Sequence, residues 1–233
     1  MIVGIHQPEH LPWLGFWDKV EKSDLFVLLD NTQFRKNYFQ NRNRIRTANE
    51  WTWLTVPIIT KDKATQLINE VEINNLTDVT WQKKHWKTIE QNYTKAPCFK
   101  EYKNIFEKFY LKKWSKLADF NINIIYAIKE ILGIKTEIRI GSSLDVKGTR
   151  SDLLLDICKK VGATTYLSGK FGKDYLDTEI FKKENIEVVF QEFTHPAYNQ
   201  VFKPFIPEMS VIDLIFNEGE KSLSIIRGEE IKK

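Results

Sequence analysis

The stretch MIVGIHQPEHLPWLGFWDKVEKSDLFVLLD, residues 1–30, carries the pattern that decides the fold. Ile2 to His6 is a short apolar run before a proline-containing turn, and Asp24 to Asp30 is a second, continuous apolar run. Both are typical of buried strands. Between them, Trp13 to Lys22 places its apolar residues close to helical spacing, and Pro12 suits a first helical turn. A strand, a helix and a strand in this order predict a βαβ unit and hence a parallel sheet.

The rest of the chain predicts more elements of the same kinds. Further strands are predicted at Trp51–Ile59, Val71–Ile73, Glu137–Ile140, Thr164–Leu167 and Ile186–Phe190. Helices are predicted at Ser151–Val161, at Ser210–Phe216 with a capping box of Ser210 and Asp213, and two or three times between Trp81 and Leu132. A loop is predicted at Thr60–Ala64. We therefore expect an α/β fold: a Rossmann-like, mostly parallel sheet with flanking helices and a helical insertion. We expect one domain over residues 1–233 with a helical subdomain at about 81–132.

The composition is that of an ordinary globular protein of 233 residues, with 42% hydrophobic and 28% charged residues. Cys98 and Cys158 lie far apart and lack the spacing of metal ligands, so we expect reduced thiols. The N-terminal residues lack a basic signal-peptide region, and the longest apolar runs, such as Leu25 to Leu29, are too short to cross a bilayer. We expect a cytoplasmic protein without membrane insertion.

Basic residues concentrate in one segment, although the net charge is only +4. The segment RKNYFQNRNRIR, from Arg35 to Arg46, has five arginines or lysines among asparagines and aromatics, and no acid. It fits a solvated face, a site for an oxyanion with neighbouring polar groups, or a nucleic-acid surface. The amide side chains favour the oxyanion, and the rest of the chain has no matching basic stripe, so nucleic acid is not the expected ligand.

Polar residues of chemically useful kinds follow the predicted strands. In a parallel sheet, ligands bind outside the carboxyl ends of the strands, so these positions are the first candidates. They are His6, Gln7 and His10 after the first strand, Asp30, Asn31, Gln33 and Arg35 after the second, and Ser142, Ser143, Ser168, Gly169, Lys170, Gly172, Gln191 and His195 after later strands. Each fits a turn or capping residue as well, and their joint recurrence favours a site.

His6 is the sharpest single candidate, because an imidazole can exchange a proton near neutral pH or bind a phosphate oxygen. His10 follows four residues later, but Pro8 and Pro12 prevent a shared helix, so we do not expect a metal site. A structural role is the alternative for both histidines. The chain has no GxSxG turn, and neither cysteine has a flanking motif that would indicate a nucleophile.

Two glycine-containing segments have features of anion sites. The turn SGKFG, Ser168 to Gly172, combines two glycines, a hydroxyl and a lysine, although it lacks the Walker A spacing. A tight structural turn explains it equally well. Arg150 follows Gly148 and Thr149 at a predicted helix start, where a guanidinium and a helix N-terminus can hold an anion together.

Eight motifs spread over nearly the whole chain share a common pattern. They are HQPEHLPWLG (His6–Gly15), DLFVLLDNTQF (Asp24–Phe34), FQNRNR (Phe39–Arg44), WLTVP (Trp53–Pro57), Ser142-Ser143, YLSGKFGKDYLD (Tyr166–Asp177), FQEFTHPAYNQ (Phe190–Gln200) and MSVIDLIFNEG (Met209–Gly219). Together they resemble the WbqC-like family. His10 departs from the family pattern, which has an aromatic residue, typically Tyr, at this position.

The resemblance implies a place in bacterial surface-polysaccharide biosynthesis, that of O-antigen or lipopolysaccharide, since family members tend to be encoded with such genes. Some members are described as transferases that place glycine or another acyl group on the amine of a nucleotide-linked amino sugar. The matching motif positions are His6, Gln7, Asp30, Gln33, Gln40, Asn41, Arg42, Asn43, Arg44, Ser168, Gly169, Gly172, His195, Tyr198 and Gln200.

We therefore expect an enzyme that forms an amide on such an amine, with His6 or His195 as the general base. The oxyanion would receive hydrogen bonds from Gln7, from Asn43, or from the backbone of Ser168 and Gly169. The diphosphate would bind to Arg42, Arg44 and Lys36. The expected partners are a nucleotide-linked amino sugar and a small acyl or amino-acid donor, and a homodimer stays open.

Other functions fit the same motifs. A loose likeness of the first turn to adenylyl-transferring enzymes leaves open a ligase that consumes ATP with Mg²⁺. A non-catalytic module that holds a sugar nucleotide or a partner enzyme is the main alternative. An RNA-binding protein that uses the segment from Arg35 to Arg46 is a further one.

Overall fold

The computed structural model describes residues 1–61, 63, 65–76 and 80–229. Its strands are β1 (Ile2–His6), β2 (Leu25–Leu28), β3 (Arg42–Arg46), β4 (Trp51–Thr55), β5 (Glu137–Ile140), β6 (Thr165–Ser168) and β7 (Glu187–Phe190). Its helices are α1 (Leu14–Glu21), α2 (Trp81–Tyr93), α3 (Phe99–Leu111), α4 (Leu117–Leu132), α5 (Arg150–Val161), α6 (Thr178–Lys183), α7 (Val211–Glu218) and α8 (Ser222–Arg227). The predicted loop at Thr60–Ala64 falls in part on Asp62 and Ala64, which lie outside the described residues.

The chain forms two compact units. The first comprises Met1–Gln7, Gly15–Thr32 and Ile134–Thr194. The second comprises Pro8–Leu14, Gln33–Gly133 and His195–Lys233. Across the described part of the chain, no helix has the length and apolar character needed to cross a membrane.

A five-stranded parallel sheet is the centre of the first unit, with the spatial order β5-β2-β1-β6-β7. In chain order these are the third, second, first, fourth and fifth strands of the sheet. The chain therefore builds outward from β1 on one side, then returns to β6 and builds outward on the other. This reversal puts a topological switch point between β1 and β6, which is where parallel sheets bind ligands. The predicted Rossmann-like α/β fold is confirmed.

Side chains alternate between the two faces of the sheet along each strand. Both faces therefore carry apolar residues, and helices cover both of them. On one face, Val3 and Ile5 of β1 belong to a buried cluster with Ile157 of α5 and Phe181 of α6. On the other face, the ring of Phe16 in α1 lies edge-on to Phe26, with 5.3 Å between ring centroids. Burial of these apolar side chains supplies the main stabilising free energy of the unit.

The second unit contains the antiparallel hairpin β3–β4 and the helices α2, α3, α4, α7 and α8. Phe216 of α7 packs on Tyr93, Phe99 and Phe106, with ring centroids 5.0 to 5.3 Å apart. Helix α4 ends at Gly133, which takes the left-handed conformation with φ of 71°, as the glycine in the sequence indicates. The stretch 81–132 contains three helices, in line with the two or three predicted there.

Several predicted elements differ in detail. Strand β4 is shorter than the predicted Trp51–Ile59 and pairs with β3, which the sequence pattern did not reveal. Strand β3 carries arginines at alternate positions, and its buried residues are Asn43, Ile45 and Arg46, of which Ile45 alone is apolar, so the sequence has the pattern of a polar segment. The predicted strand at Val71–Ile73 is reduced to isolated bridges.

The predicted capping box of α7 is wrong in one of its two members. The side chain of Ser210 accepts a hydrogen bond from the backbone N–H of Ile212, as an N-cap does. Asp213 instead directs its carboxylate to tyrosine hydroxyls within the second unit. Burial of Asp213 among these donors prevails over the local capping geometry.

Gly4 of the central strand tests how tightly α1 and the sheet are packed. A Cβ at this position would meet the Ser23 hydroxyl and come within 2.7 Å of Cδ2 of Phe26. We expect Gly4→Ala to lower the free energy of unfolding by about 1–3 kcal/mol, since an added methyl group there forces backbone or side-chain shifts. Urea unfolding measures this change.

Gly169→Ala is the matched control for this prediction, because a Cβ at Gly169 meets no atom within 4 Å and φ is −68°. Its unfolding midpoint should stay near that of the unsubstituted protein. Equal midpoints for the two variants would contradict the close packing at Gly4.

Candidate functional site

The carboxyl ends of the parallel strands bring several predicted residues together in the first unit. Gly4 of β1 pairs with Leu167 of β6, so His6 and Ser168 end neighbouring strands at the switch point. The carbonyl of His6 accepts a hydrogen bond from the Leu29 N–H at 2.8 Å, which leads β2 toward Asp30. These ends form the candidate functional site.

His6 is held in one tautomer by its own turn. Its Nδ1 lies 3.0 Å from the carbonyl oxygen of Gln7, and because that oxygen only accepts, Nδ1 carries the proton. Nε2 therefore has the lone pair of a neutral imidazole. The ring packs edge-on to Phe16, with 5.2 Å between centroids. Burial, and then the charge of Lys19, lower the pKa of His6 to about 4, while the Gln7 carbonyl opposes them.

Lys19 is a residue that the sequence analysis missed. It lies in α1, is only 2% exposed, and donates from Nζ to the carbonyl of Ile5 at 2.7 Å. A buried ammonium is costly unless it is hydrogen-bonded, and here it bonds the strand that carries His6. A lysine within a helical pattern is normally solvated. The place of Lys19 directly before Val20 of the apolar stripe is the feature of the sequence that could have indicated its burial.

Gln7 and Asp30 bond to neighbouring loops of the first unit. The Gln7 amide donates from Nε2 to the Thr32 hydroxyl at 3.0 Å. Asp30 accepts from both the backbone N–H and the hydroxyl of Ser142, at 2.8 and 2.7 Å. The structure therefore brings two of the candidate site residues, Asp30 and Ser142, into direct contact. This pairing ties the end of β2 to the loop after β5.

The SGKFG segment forms a tight turn at the end of β6. Ser168 is 1% exposed, and its hydroxyl makes no hydrogen bond with any described residue. A Cβ on Gly172 would collide with that hydroxyl and lie 3.2 Å from the Phe190 ring, so packing requires this glycine. Gly169 by contrast faces open space. Arg150 is exposed at the first position of α5, with φ of 52°.

The second unit contains other predicted positions, among them His10 and His195. His10 is fully buried and stacks on Phe120, with 5.4 Å between centroids. Burial, and then His85, lower the pKa of His10 to about 3, with Asn121 opposing them. This packing explains why an aromatic residue suits the position.

His195 also has a defined hydrogen-bond arrangement. Nδ1 donates to the carbonyl of Pro196 at 2.9 Å, and Nε2 accepts from the backbone N–H of Glu208 at 3.1 Å. The ring stacks between Trp13 and Tyr198. Burial lowers its pKa, so His195 is neutral near pH 7. Both ring nitrogens thus hold the loop in this structure.

Tyr198 and Gln200 converge on Asp213, a buried carboxylate that the sequence analysis did not select. Tyr198 and Tyr93 donate their hydroxyls to Asp213 at 2.7 and 2.8 Å, and Nε2 of Gln200 donates at 2.8 Å. Burial raises the pKa of Asp213, and these donors, together with the charge of Arg46, oppose that rise. The cluster joins α7 to the loop before it.

The amide side chains of the segment from Arg35 to Arg46 form hydrogen bonds with backbone groups. Asn43 donates to the carbonyl of Leu11 at 2.8 Å and accepts from the N–H of Arg44, and Asn41 donates to Val56. Gln40 accepts from the N–H of Arg35 at 2.7 Å. Lys36 of this segment and Gln33, which lies just before it, are exposed. Arg42 and Arg44 are partly buried on the outer face of the hairpin.

The pKa of His10 predicts how stability depends on pH. The folded pKa of about 3 lies below the ordinary 6.5, so the unfolded chain binds more protons between these values and stability falls as pH drops through this range. We expect His10→Phe to remove about 2 kcal/mol of the loss between pH 6.5 and 4.5. Urea unfolding at a series of pH values measures it.

Phe120→Leu is the control, since it alters the same packed cluster without removing a titrating group. It should shift the free energy of unfolding by a similar amount at each pH. An unchanged pH slope in His10→Phe would show that His10 takes up a proton in the folded state.

No group of three histidine, cysteine or acidic side chains that could hold a metal ion is present within residues 1–61, 63, 65–76 and 80–229. The geometry can position a neutral imidazole, an amide and backbone N–H groups at one sheet edge. That set suits proton transfer and oxyanion binding.

Comparisons with known proteins agree with the motifs. The model of the WbqC-like protein family matches residues 7–225. The chain is 32% identical over 227 residues to the uncharacterized protein Rv1507c of Mycobacterium tuberculosis, covering 97% of each chain. No solved structure matches. Because the family model spans nearly the whole chain, this protein belongs to the WbqC-like protein family.

Proposed function

We propose that this protein is an enzyme that forms an amide on the amine of a nucleotide-linked amino sugar in bacterial polysaccharide biosynthesis. The transferred group is a glycyl or another small acyl group. The observation that carries the proposal is the neutral His6, with Nδ1 bonded to Gln7, at the switch point of a parallel sheet. Family membership supports the substrate class, because the resemblance to this family implies sugar-nucleotide chemistry.

The reaction is an acyl transfer from an activated donor to the sugar amine. The amine nitrogen attacks the acyl carbonyl, a C–N bond forms, and the bond from the carbonyl carbon to the leaving group breaks. The nitrogen loses a proton, which passes to His6 and then to the leaving group. An imidazole with a low pKa is a weak base toward a free ammonium. It can accept the proton once C–N bond formation has made the nitrogen strongly acidic.

The oxyanion that develops on the carbonyl needs hydrogen-bond donors at the same sheet edge. Gln7 follows His6 directly, and the backbone of Ser168 and Gly169 ends the neighbouring strand. Gly169 adds no side chain, and the space a Cβ would fill there is open, so a substrate can approach this backbone. Preformed donors of this kind stabilise a tetrahedral intermediate. His6 is preferred to His195 as base, since His6 ends β1 at the switch point of the parallel sheet.

The acyl donor has two possible chemical forms. A thioester or aminoacyl donor arrives activated, whereas free glycine would need ATP and Mg²⁺. Asp30, two residues after the end of β2, accepts hydrogen bonds from Ser142 at both of its oxygens. We therefore derive the transfer from a preformed donor and no step through ATP.

A second function has its own support: a non-catalytic module that binds a sugar nucleotide or a partner enzyme of the same pathway. Several motif residues, among them Asp30, Asn43, Tyr198 and Gln200, serve internal hydrogen bonds. Residues that form such internal hydrogen bonds can stabilise a binding site without taking part in catalysis. Turnover separates the two functions.

The test is an assay with a panel of nucleotide-linked amino sugars, each with a thioester donor or with glycine and ATP. We expect mass spectrometry to detect the added acyl mass. We expect His6→Gln to lower the rate by roughly 10²- to 10⁴-fold, as loss of a general base does, with nucleotide-sugar binding nearly unchanged.

His10→Phe is the matched control, because it removes a buried histidine of the second unit and should keep the rate. No new mass with any donor, acetyl-CoA included, would favour the binding module. A His6→Gln enzyme with full activity would exclude His6 as the base.

A further inference from the structure

The hairpin β3–β4 arranges arginines and tryptophans on one face. Arg44 pairs directly with Trp53 and Arg46 with Trp51, so these side chains project from the same side. Arg42, two residues before Arg44, lies on this side as well. The opposite side contains the buried Ile45. The hairpin therefore presents an alternating row of cations and aromatic rings.

The three arginines of this row differ in their hydrogen-bond and ion-pair partners. Arg46 is 1% exposed and donates to the main-chain oxygens of Thr47, Glu50 and Pro204. Arg44 pairs with Glu208, with 2.9 Å between Nη2 and Oε2. Arg42 has no carboxylate partner among the described residues. It is therefore the cation of the row whose charge is not compensated by the protein.

Arg42 is held in place without using its hydrogen-bond donors. Its Cζ lies 4.2 Å from the Trp53 ring centroid, so the guanidinium rests on the aromatic face. Guanidinium N–H groups lie in the plane of the group, so a contact through its face leaves the Nη groups of Arg42 for a ligand, while Nε is buried. Stacking thus orients Arg42 for a bidentate bond to an oxyanion.

An open pocket of about 330 Å³ lies beside this guanidinium. Its lining comprises Asn37, Tyr38, Phe39, Arg42, Arg44 and Trp53, which are aromatic, cationic or amide residues. No lining residue is acidic, and the sequence from Arg35 to Arg46 contains no acid. Tyr38 is 40% exposed, and Arg35 lies over its ring at 4.8 Å.

We propose that this pocket binds the diphosphate and base of a nucleoside diphosphate. Arg42 binds the phosphate oxygens through its outward N–H groups, with Arg44 at its side. The exposed ring of Tyr38 and the partly buried ring of Phe39 receive a planar base. A ring and an anion together match both kinds of residue in the pocket, which neither a neutral sugar nor a simple phosphate does.

A longer nucleic acid is the less suitable ligand. Binding along a phosphate backbone requires several uncompensated cations in a row. Here the Arg46 guanidinium donates hydrogen bonds to main-chain oxygens, and Arg44 forms an ion pair with Glu208. Among the described residues, Arg42 is the one arginine of this row without a compensating partner, and the small pocket fits one short phosphate group.

This inference concerns the second unit alone and does not depend on catalysis by His6. Its test is the binding of UDP, uridine and inorganic pyrophosphate to the full-length protein. Calorimetry and quenching of tryptophan fluorescence detect binding. We expect UDP to bind, with uridine and pyrophosphate each at least about 10-fold weaker, because each lacks one half of the recognised group.

Arg42→Lys is the decisive variant, since it keeps the charge and removes the planar fork. We expect it, like Arg42→Gln, to weaken UDP binding roughly 10- to 100-fold, the loss typical of a charged bidentate contact. Arg227→Gln removes an exposed cation of the same unit and should leave the affinity within about two-fold. Thermal unfolding confirms that each variant is folded.

Several outcomes would overturn the proposal. They are no UDP binding, equal affinity for pyrophosphate or uridine, unchanged affinity in Arg42→Lys, and tighter, steeply salt-dependent binding of single-stranded RNA. UDP binding without amide formation would refute only the proposed function. Amide formation without UDP binding would refute only this pocket.

Discussion

Pairing of β1 on both of its edges is the constraint on which the first unit depends. Its residues bond to β2 on one side and β6 on the other, and Val3 and Ile5 fill the core below. A shift of one residue would turn those side chains to the wrong face. The register therefore determines that His6 is the last residue of the strand and lies at the point where the strand order reverses. Position, more than any local motif, makes His6 a candidate.

The polar residues of the motifs divide into two groups by what burial does to them. Asp30 and Asp213 are buried and bonded to other parts of their own unit, which offsets the cost of removing them from water, and the partly buried His195 is bonded in the same way. His6 is also bonded within its own turn and differs by its place at the switch point, whereas Gly169 faces open space and Arg42 lines an open pocket. Sequence motifs do not distinguish these groups, since the same residue types serve both purposes.

Much of the fold could be predicted from periodicity, and the exceptions have physical causes. The apolar runs of β1, β2 and β6 are buried in the sheet, and the edge strands β5 and β7 alternate between exposed and partly buried residues, so both patterns can be recognised in the sequence. Strand β3 was hidden because its alternate arginines lie over tryptophans that come from β4. The burial of Lys19 and Asp213 was not predicted, because both lie in helices, where a charge usually faces solvent. Their partners, Ile5 and Tyr93, lie far away in the sequence.

The sequence by itself determined the βαβ beginning, the parallel sheet, the family, and the short list of residues that follow the strands. Those properties depend on local pattern and on motifs spread along the chain. Only the tertiary structure decided which of these residues are used internally and which tautomer His6 adopts. It also determined that the Arg42 guanidinium stacks on Trp53 and has no carboxylate partner among the described residues. Such outcomes depend on neighbours brought together by folding, and local sequence does not specify those neighbours.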